Sequence, residues 1–130
     1  MKQTLWAMVI GAGLFALGHV GTGSTAQADG TCGAKGQPPC PLQGWMENNV
    51  DPAVNKGDTK ALAGLFEKIA KFNPDPKWDT DNPGWSGIAK AGADAAKAGD
   101  LAGAKAQCKS CHKAFREKYK TGFRMKPVPK

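Results

Sequence analysis

The run Cys108-Lys109-Ser110-Cys111-His112, near the C-terminus, constrains this chain more than any other feature of its sequence. Two thiols three residues apart on one helical turn can reach both vinyl groups of a haem, and this spacing is typical of covalent haem attachment through thioethers. The imidazole that follows is then placed to bind the iron as its proximal ligand. The motif therefore predicts a helix that carries haem c, one per chain.

Three other interpretations of the motif are weaker. A thioredoxin-like pair follows a strand and exposes a thiolate at a helix N-terminus, whereas the apolar spacing here puts both cysteines on the buried face of a helix. A zinc site would need Cys32 and Cys40 as further ligands, and their separation lies outside the usual spacing. Two core cysteines beside a surface histidine are the remaining alternative. The apolar positions of this helix are Leu101, Ala104, Cys108, Cys111 and Phe115.

The first 28 residues have the form of an export signal. Lys2 supplies a positive charge, residues 5–17 are apolar apart from glycines, and residues 26–28 form a small-x-small cleavage pattern. The apolar run is shorter than the ~20 residues that span a bilayer, so an uncleaved anchor is the weaker alternative. We expect cleavage after Ala28, a periplasmic location and no stable membrane insertion.

The remaining residues, 29–130, are expected to form a single monohaem domain whose only histidine is the one in the motif. Residues 29–41 are rich in Gly, Pro and Cys and should form an irregular leader. Because the exported compartment is oxidising, Cys32 and Cys40 are expected to form a disulfide that clips this leader to the first helix. Residues 121–130 contain two prolines and should form an extended tail.

Periodicity predicts four amphipathic helices and no strand, which favours an all-α protein built as an antiparallel four-helix bundle with the haem between helices. Pro41 suits the first position of the first helix, which should end or kink at Pro52. Gly57 should end that segment, and Asp58 and Asp100 should cap the second and fourth helices. The expected inward residues are Leu42, Met46 and Val50 or Asn49 in the first helix, Leu62, Leu65, Phe66, Ile69 and Phe72 in the second, and Ile88, Ala91, Gly92 and Ala95 in the third.

The third helix should run from Pro83 or Trp85 to Ala98, with Asn82 as its candidate cap. The segment before it is rich in Pro, Asp and Asn and is predicted to be a loop, in which Trp78 covers an edge of the core. The small inward residues of the third helix have two explanations: close packing against another helix, or a flat macrocycle lying against them.

Cys108, Cys111 and His112 in the last helix, followed by Phe115 and Arg116, resemble the class II cytochromes c, which comprise cytochrome c prime and its low-spin relatives. Class I cytochromes place the motif near the N-terminus instead. The resemblance implies a left-twisted four-helix bundle with haem attached to the last helix. It also implies that His112 is the fifth iron ligand and that Arg116 lies near the proximal face of the haem.

The side chain opposite His112 would decide the function. A thioether there gives six-coordinate, low-spin iron and an electron carrier, whereas an apolar side chain leaves five-coordinate iron that binds nitric oxide or carbon monoxide. In low-spin relatives this thioether comes from the first helix, and the resemblance places it at Met46. Met125 is the alternative sixth ligand, although it lies in the tail and would have to wrap round the haem edge. If neither ligates, Leu42 or Trp45 would be the blocking group.

The charge distribution bears on partners. The chain has a formal net charge of +7, and from Lys105 onward nine lysines or arginines accompany a single acid, Glu117. Such a field would steer the haem edge toward an acidic redox partner protein. Export makes nucleic acid an improbable partner, and the family resemblance allows a homodimer. A peroxidase-like enzyme is disfavoured because the sequence offers no distal histidine or paired acid for proton transfer.

Overall fold

The computed structural model describes residues 32–130, so the expected signal peptide, residues 1–28, and its cleavage site lie outside the described part. Within residues 32–130 the regular elements are helices and no strand is present, which confirms the all-α class. Helix α1 covers residues 41–56 and is followed by α2, α3 and α4, with a short 3-10 turn before α3. The bounds are Pro41–Trp45, the π-helical Met46–Val50 and Asp51–Lys56 for α1, Thr59–Phe72 for α2, Pro76–Asp79 for the turn, Trp85–Lys97 for α3 and Leu101–Gly122 for α4.

Helix α1 begins at Pro41, as predicted, but it does not end at Val50. The backbone N–H of Asp51 donates to the carbonyl of Met46, five residues back instead of four, which is the hydrogen bond of a π turn. Pro52 has no N–H to donate. The wider turn immediately before it carries the helix past the proline and on to Lys56.

The predicted stop and start signals between helices are present. Gly57 has φ of 67°, the left-handed conformation that ends α1. The Asp58 carboxylate accepts from the backbone N–H of Ala61 at 2.9 Å, and the Asp100 carboxylate accepts from that of Gly103 at 2.8 Å. Each carboxylate satisfies a backbone donor that the first turn of its helix leaves free.

Helices α2 and α3 pack closely against each other. A Cβ built on Gly92 would lie 2.5 Å from the ring of Phe66, so the ring rests directly on the α3 backbone. Close helix packing therefore explains the small residues of α3, without a macrocycle. One prediction was wrong: Ala91 is exposed, because other positions of the helix form the buried face of α3. The buried residues of α3 are Trp85, Ile88, Ala89, Gly92, Ala93 and Ala96.

The segment between α2 and α3 places Trp78 in the core. Its side chain is 6% exposed and stacks on Phe115 of α4 with the ring centroids 5.2 Å apart. Asn82 does not cap α3, contrary to expectation. The carboxylate of Asp79 performs that role, accepting from the backbone N–H of Ser86 at 2.7 Å and from its hydroxyl at 2.8 Å.

The chain after α4 turns back over the molecule. Helix α4 extends to Gly122, slightly beyond the predicted start of the tail. Phe123 meets Trp78 edge-on with centroids 5.0 Å apart, and Val128 packs against the core. The Lys126 ammonium donates to the carbonyl of Pro74. None of the helices within residues 32–130 is long and apolar enough to cross a membrane.

Candidate functional site

Two adjoining cavities separate α1 from α4. Their volumes are about 420 and 290 Å³, which together fall in the range of small-molecule and cofactor pockets, roughly 300 to 1,000 Å³. The same four residues line both cavities, two from α1 and two from α4. They are Met46, Asp51, Cys111 and His112.

The predicted attachment motif lies on the cavity side of α4. Cys108 lines the smaller cavity, and Cys111 lines both. Both cysteines are partly buried, and on the same face Ala104 and Phe115 are buried at 0% and 1% exposure. This is the face that the spacing of apolar residues predicted. His112 is more exposed than the cysteines and also lines both cavities.

Neither thiol has the environment of a reactive thiolate. Burial raises the pKa of Cys111 to about 12, with a smaller contribution from the neighbouring Cys108. Burial also raises the pKa of Cys108. Redox-active thiols have lowered pKa values, in positively charged and more exposed surroundings. Raised thiol pKa values therefore disfavour a thiol oxidoreductase.

The surroundings of His112 favour the neutral form of its imidazole. Burial lowers its pKa, and the positive charge of Arg116 lowers it further, against an opposing effect of Asp51. A neutral imidazole is the form that binds a metal. Arg116 lies four residues beyond the histidine on α4 and lines the larger cavity.

The two candidate sixth ligands occupy different places. Met46 is partly buried on the face of α1 that lines both cavities, opposite the motif on α4. Met125 is 46% exposed, and its sulfur lies 3.3 Å from the sulfur of Cys32. The structure therefore brings Met46, and not Met125, to the cavities that Cys111 and His112 line.

Cys32 and Cys40 are placed as a disulfide. Their sulfurs are 2.10 Å apart, so neither is a free thiolate available to a metal. Cys40 and Gly33 line the outer part of the larger cavity, which puts the leader at one end of the cleft. Among residues 32–130, no group of three or more His, Cys, Asp or Glu side chains is close enough to hold a metal ion.

Sequence reasoning missed several cavity residues, among them Asp51, Tyr119 and Arg124. Asp51 reaches both cavities because the π turn brings a residue five positions after Met46 to the same side of α1. A proline at the next position was the available signal that the helix changes its winding there. Tyr119 and Arg124 line the larger cavity from the end of α4 and the tail, and no local pattern indicated either.

These residues fit a covalently bound haem. Two sulfurs and a neutral imidazole on one helix border a cleft of cofactor size, a thioether borders it from the other helix, and apolar side chains make up much of its wall. Two thiols and a proximal imidazole are the groups that attach haem c, and a thioether is a common sixth ligand. Comparison with known proteins found no matching family model, no similar curated protein and no similar solved structure.

Proposed function

We propose that this chain is a periplasmic monohaem c-type cytochrome that carries electrons. In this proposal Cys108 and Cys111 hold the haem through thioethers, His112 is the proximal iron ligand and Met46 is the sixth. The four helices would form an antiparallel bundle around the haem, as in the class II cytochromes c that the motif resembles. The observation that carries the proposal is that Met46 on α1 lines the same two cavities as Cys111 and His112 on α4.

The chain's own residues supply binding, orientation and exclusion of water. Attachment to two positions on one helical turn fixes the group against α4, whose buried residues Ala104 and Phe115 anchor that face in the core. Leu42, Val50, Leu62 and Ile88 add apolar wall on the other sides. When bound, the haem supplies an iron that changes oxidation state by one electron, and a thioether ligand raises its reduction potential.

A second function would follow if Met46 only packs in the cleft. Leu42 is buried and lines the larger cavity from the same face of α1, so it is positioned to block the site instead. The protein would then bind nitric oxide or carbon monoxide as a five-coordinate, cytochrome c prime-like protein. Trp45, the other expected blocking group, packs against the core and does not line either cavity.

The partner in this proposal is an acidic redox protein that docks at the basic haem end. Arg116 and Lys120 line the larger cavity, and their positive charge supports docking of an acidic partner at the cleft. Attraction of this kind raises the rate of encounter at low salt and weakens as salt is added. The proposed role is not enzymatic. A homodimer is compatible with it, whereas nucleic acid and stable membrane insertion form no part of it.

Absorption spectroscopy of protein made with a working haem-attachment system tests the ligand assignment. We expect a low-spin ferric spectrum with a thioether charge-transfer band, and no change on adding carbon monoxide to the reduced protein. Met46→Ala should abolish the band and allow carbon monoxide to bind. Met125→Leu is the matched control and should keep the band. A high-spin ferric wild type would assign the protein to gas binding.

Mass spectrometry tests the attachment itself. We expect the purified chain to be heavier by the mass of one haem, and Cys111→Ala to weaken or abolish attachment. A colourless wild-type protein with no gain in mass would overturn both the electron carrier and the gas-binding protein. In that case the two cysteines would be ordinary half-buried core residues.

A further inference from the structure

The guanidinium of Arg124 contains an unpaired buried nitrogen. Within residues 32–130, its Nε is the one buried side-chain nitrogen or oxygen that has no hydrogen-bond partner. A buried donor without a partner costs about 1 to 3 kcal/mol, and more when the group is charged. Such a group therefore indicates a partner that residues 32–130 do not supply.

The backbone carbonyl of Arg124 contacts two other parts of the chain. Its carbonyl accepts from the hydroxyl of Tyr119 at 3.3 Å. The sulfur of Cys32 lies 3.9 Å from the same carbonyl and 3.3 Å from the sulfur of Met125, the next residue. The disulfide-clipped leader and the last turn of α4 thus contact the start of the tail beside the larger cavity.

Arg124 is one of three cations around one end of that cavity. Arg116 and Lys120 are four residues apart on α4, so they lie on the same side of the helix, and both line the larger cavity with Arg124. Two acids, Glu47 and Asp51, line it as well. Glu47 accepts from the side-chain amide of Gln43 at 2.9 Å, and neither acid is paired with Arg124 within the described part of the chain.

We infer that Arg124, assisted by Arg116 and Lys120, binds a carboxylate of the haem at this end of the cleft. A guanidinium presents several N–H donors in a planar fork that matches the two oxygens of a carboxylate, which a lysine cannot reproduce. The inference rests on the proposed function, because the carboxylate belongs to the haem. It gives the leader disulfide and the tail a role: they place Arg124 where this group would lie.

The same chemistry would bind a dissolved oxyanion, and one control separates the two sources. Inorganic phosphate is titrated into the haem-loaded wild type while the reduction potential is measured. A haem carboxylate already paired with Arg124 predicts no saturable change. A saturable change that Arg124→Gln abolishes would instead assign these cations to a free anion and overturn the inference.

The main experiment compares Arg124→Gln and Arg124→Lys with Lys113→Gln, an exposed α4 lysine that lines neither cavity. Resonance Raman spectra of the haem-loaded protein report the bending vibration of its propionates. We expect Arg124→Gln to shift this band, Arg124→Lys to shift it less, and Lys113→Gln to leave it unchanged. The reduction potential should fall in Arg124→Gln by more than in Lys113→Gln, because removing a nearby unscreened cation favours the ferric form.

The outcomes distinguish this inference from the proposed function. If the wild type carries haem and its propionate band is identical in Arg124→Gln, the carboxylate is not bound by Arg124 and the inference is wrong while the proposed function stands. If the wild type carries no haem, the proposed function fails first. A potential that falls equally in Arg124→Gln and Lys113→Gln would show only a general effect of net charge, which also contradicts the inference.

Discussion

The α2–α3 side of the molecule and the α1–α4 side are built differently. On the α2–α3 side, Phe66 presses on the backbone at Gly92 and the helices meet without an intervening space. On the other side, α1 and α4 border two cavities, the smaller of which is closed by side chains of α2 and α3, Phe66 among them. The same chain therefore contains one closely packed helix pair and one pair that leaves room for a cofactor.

This difference indicates a division of roles. Close packing makes the stability of the α2–α3 pair sensitive to the gain or loss of a single methyl group, because a densely packed interior cannot accommodate the change in volume. The cleft side holds every residue to which we assign haem binding, and its geometry depends on the leader and the tail as well as on helices. We therefore expect core substitutions on the first side to change stability, and substitutions in the cleft mainly to change the chemistry.

The largest expected effect is that of Phe72→Ala at the end of α2. Phe72 is 4% exposed, and its ring centroid lies 6.1 Å from that of Trp85. Removing a buried aromatic ring should lower the free energy of unfolding by about 3 to 5 kcal/mol. Denaturant unfolding measures this, with Phe123→Ala at the half-buried start of the tail as the control that should cost less. Equal losses would remove the distinction between core and periphery.

The next effect concerns the leader at the mouth of the cleft. Replacing both Cys32 and Cys40 by serine releases a loop with a sequence separation of 8. The loss of unfolding free energy should be somewhat less than the ~3 kcal/mol that applies to a fifteen-residue loop. Thermal unfolding without reductant measures it, and thiol counting on the denatured wild type should find neither of these two cysteines free. Two titratable thiols at these positions would contradict the disulfide.

Gly92→Ala tests how closely α2 and α3 approach. The added methyl group would lie within 2.5 Å of the Phe66 ring, so the ring or the helix must move, at a cost of about 1 to 3 kcal/mol. Gly64→Ala on α2 is the matched control, since nothing lies within 4 Å of its new Cβ. The control should stabilise the protein by up to about 1 kcal/mol, because alanine favours helix over glycine. The close approach would be disproved if both variants were stabilised.

The sequence predicts local features of both sides well. The alternating spacing of three and four residues in α4 correctly placed Cys108 and Cys111 on the inward face, and Gly57, Asp58 and Asp100 marked helix ends through local hydrogen bonding. In contrast, α3 contains alanine or glycine at most positions, so its hydrophobic pattern does not define clearly which face of the helix is buried. Ala91 was assigned to the wrong face for that reason.

What the sequence could not indicate depends on distant contacts. Asp51 enters the cleft through a change in helical winding, and Arg124 enters it from the tail, whose backbone contacts Cys32 of the leader and Tyr119 of α4. Trp78 was expected at an edge of the core but stacks on Phe115, 37 residues later in the chain, inside it. Periodicity reports which face of one helix is apolar and not which other segment covers that face.

The smallest predicted effect is at Asp79, an exposed side chain that fastens the start of α3. Burial acts to raise its pKa, but hydrogen bonds from the backbone and hydroxyl of Ser86 and from the amide of Asn73 outweigh it, so the pKa is lowered. A carboxyl group whose pKa is lower in the folded than in the unfolded state stabilises the fold at pH values above its unfolded pKa, about 3.9. This contribution is lost as the pH falls through the folded pKa.

Asp79→Asn should cost about 1 kcal/mol at neutral pH, as expected for a weakened helix cap. Its unfolding free energy should also fall less steeply than that of the wild type as the pH is lowered below about 4. Parallel pH profiles for the two proteins would show that Asp79 contributes nothing to the acid-side loss, and would leave ring packing as the main attachment of this loop to the α2–α3 pair.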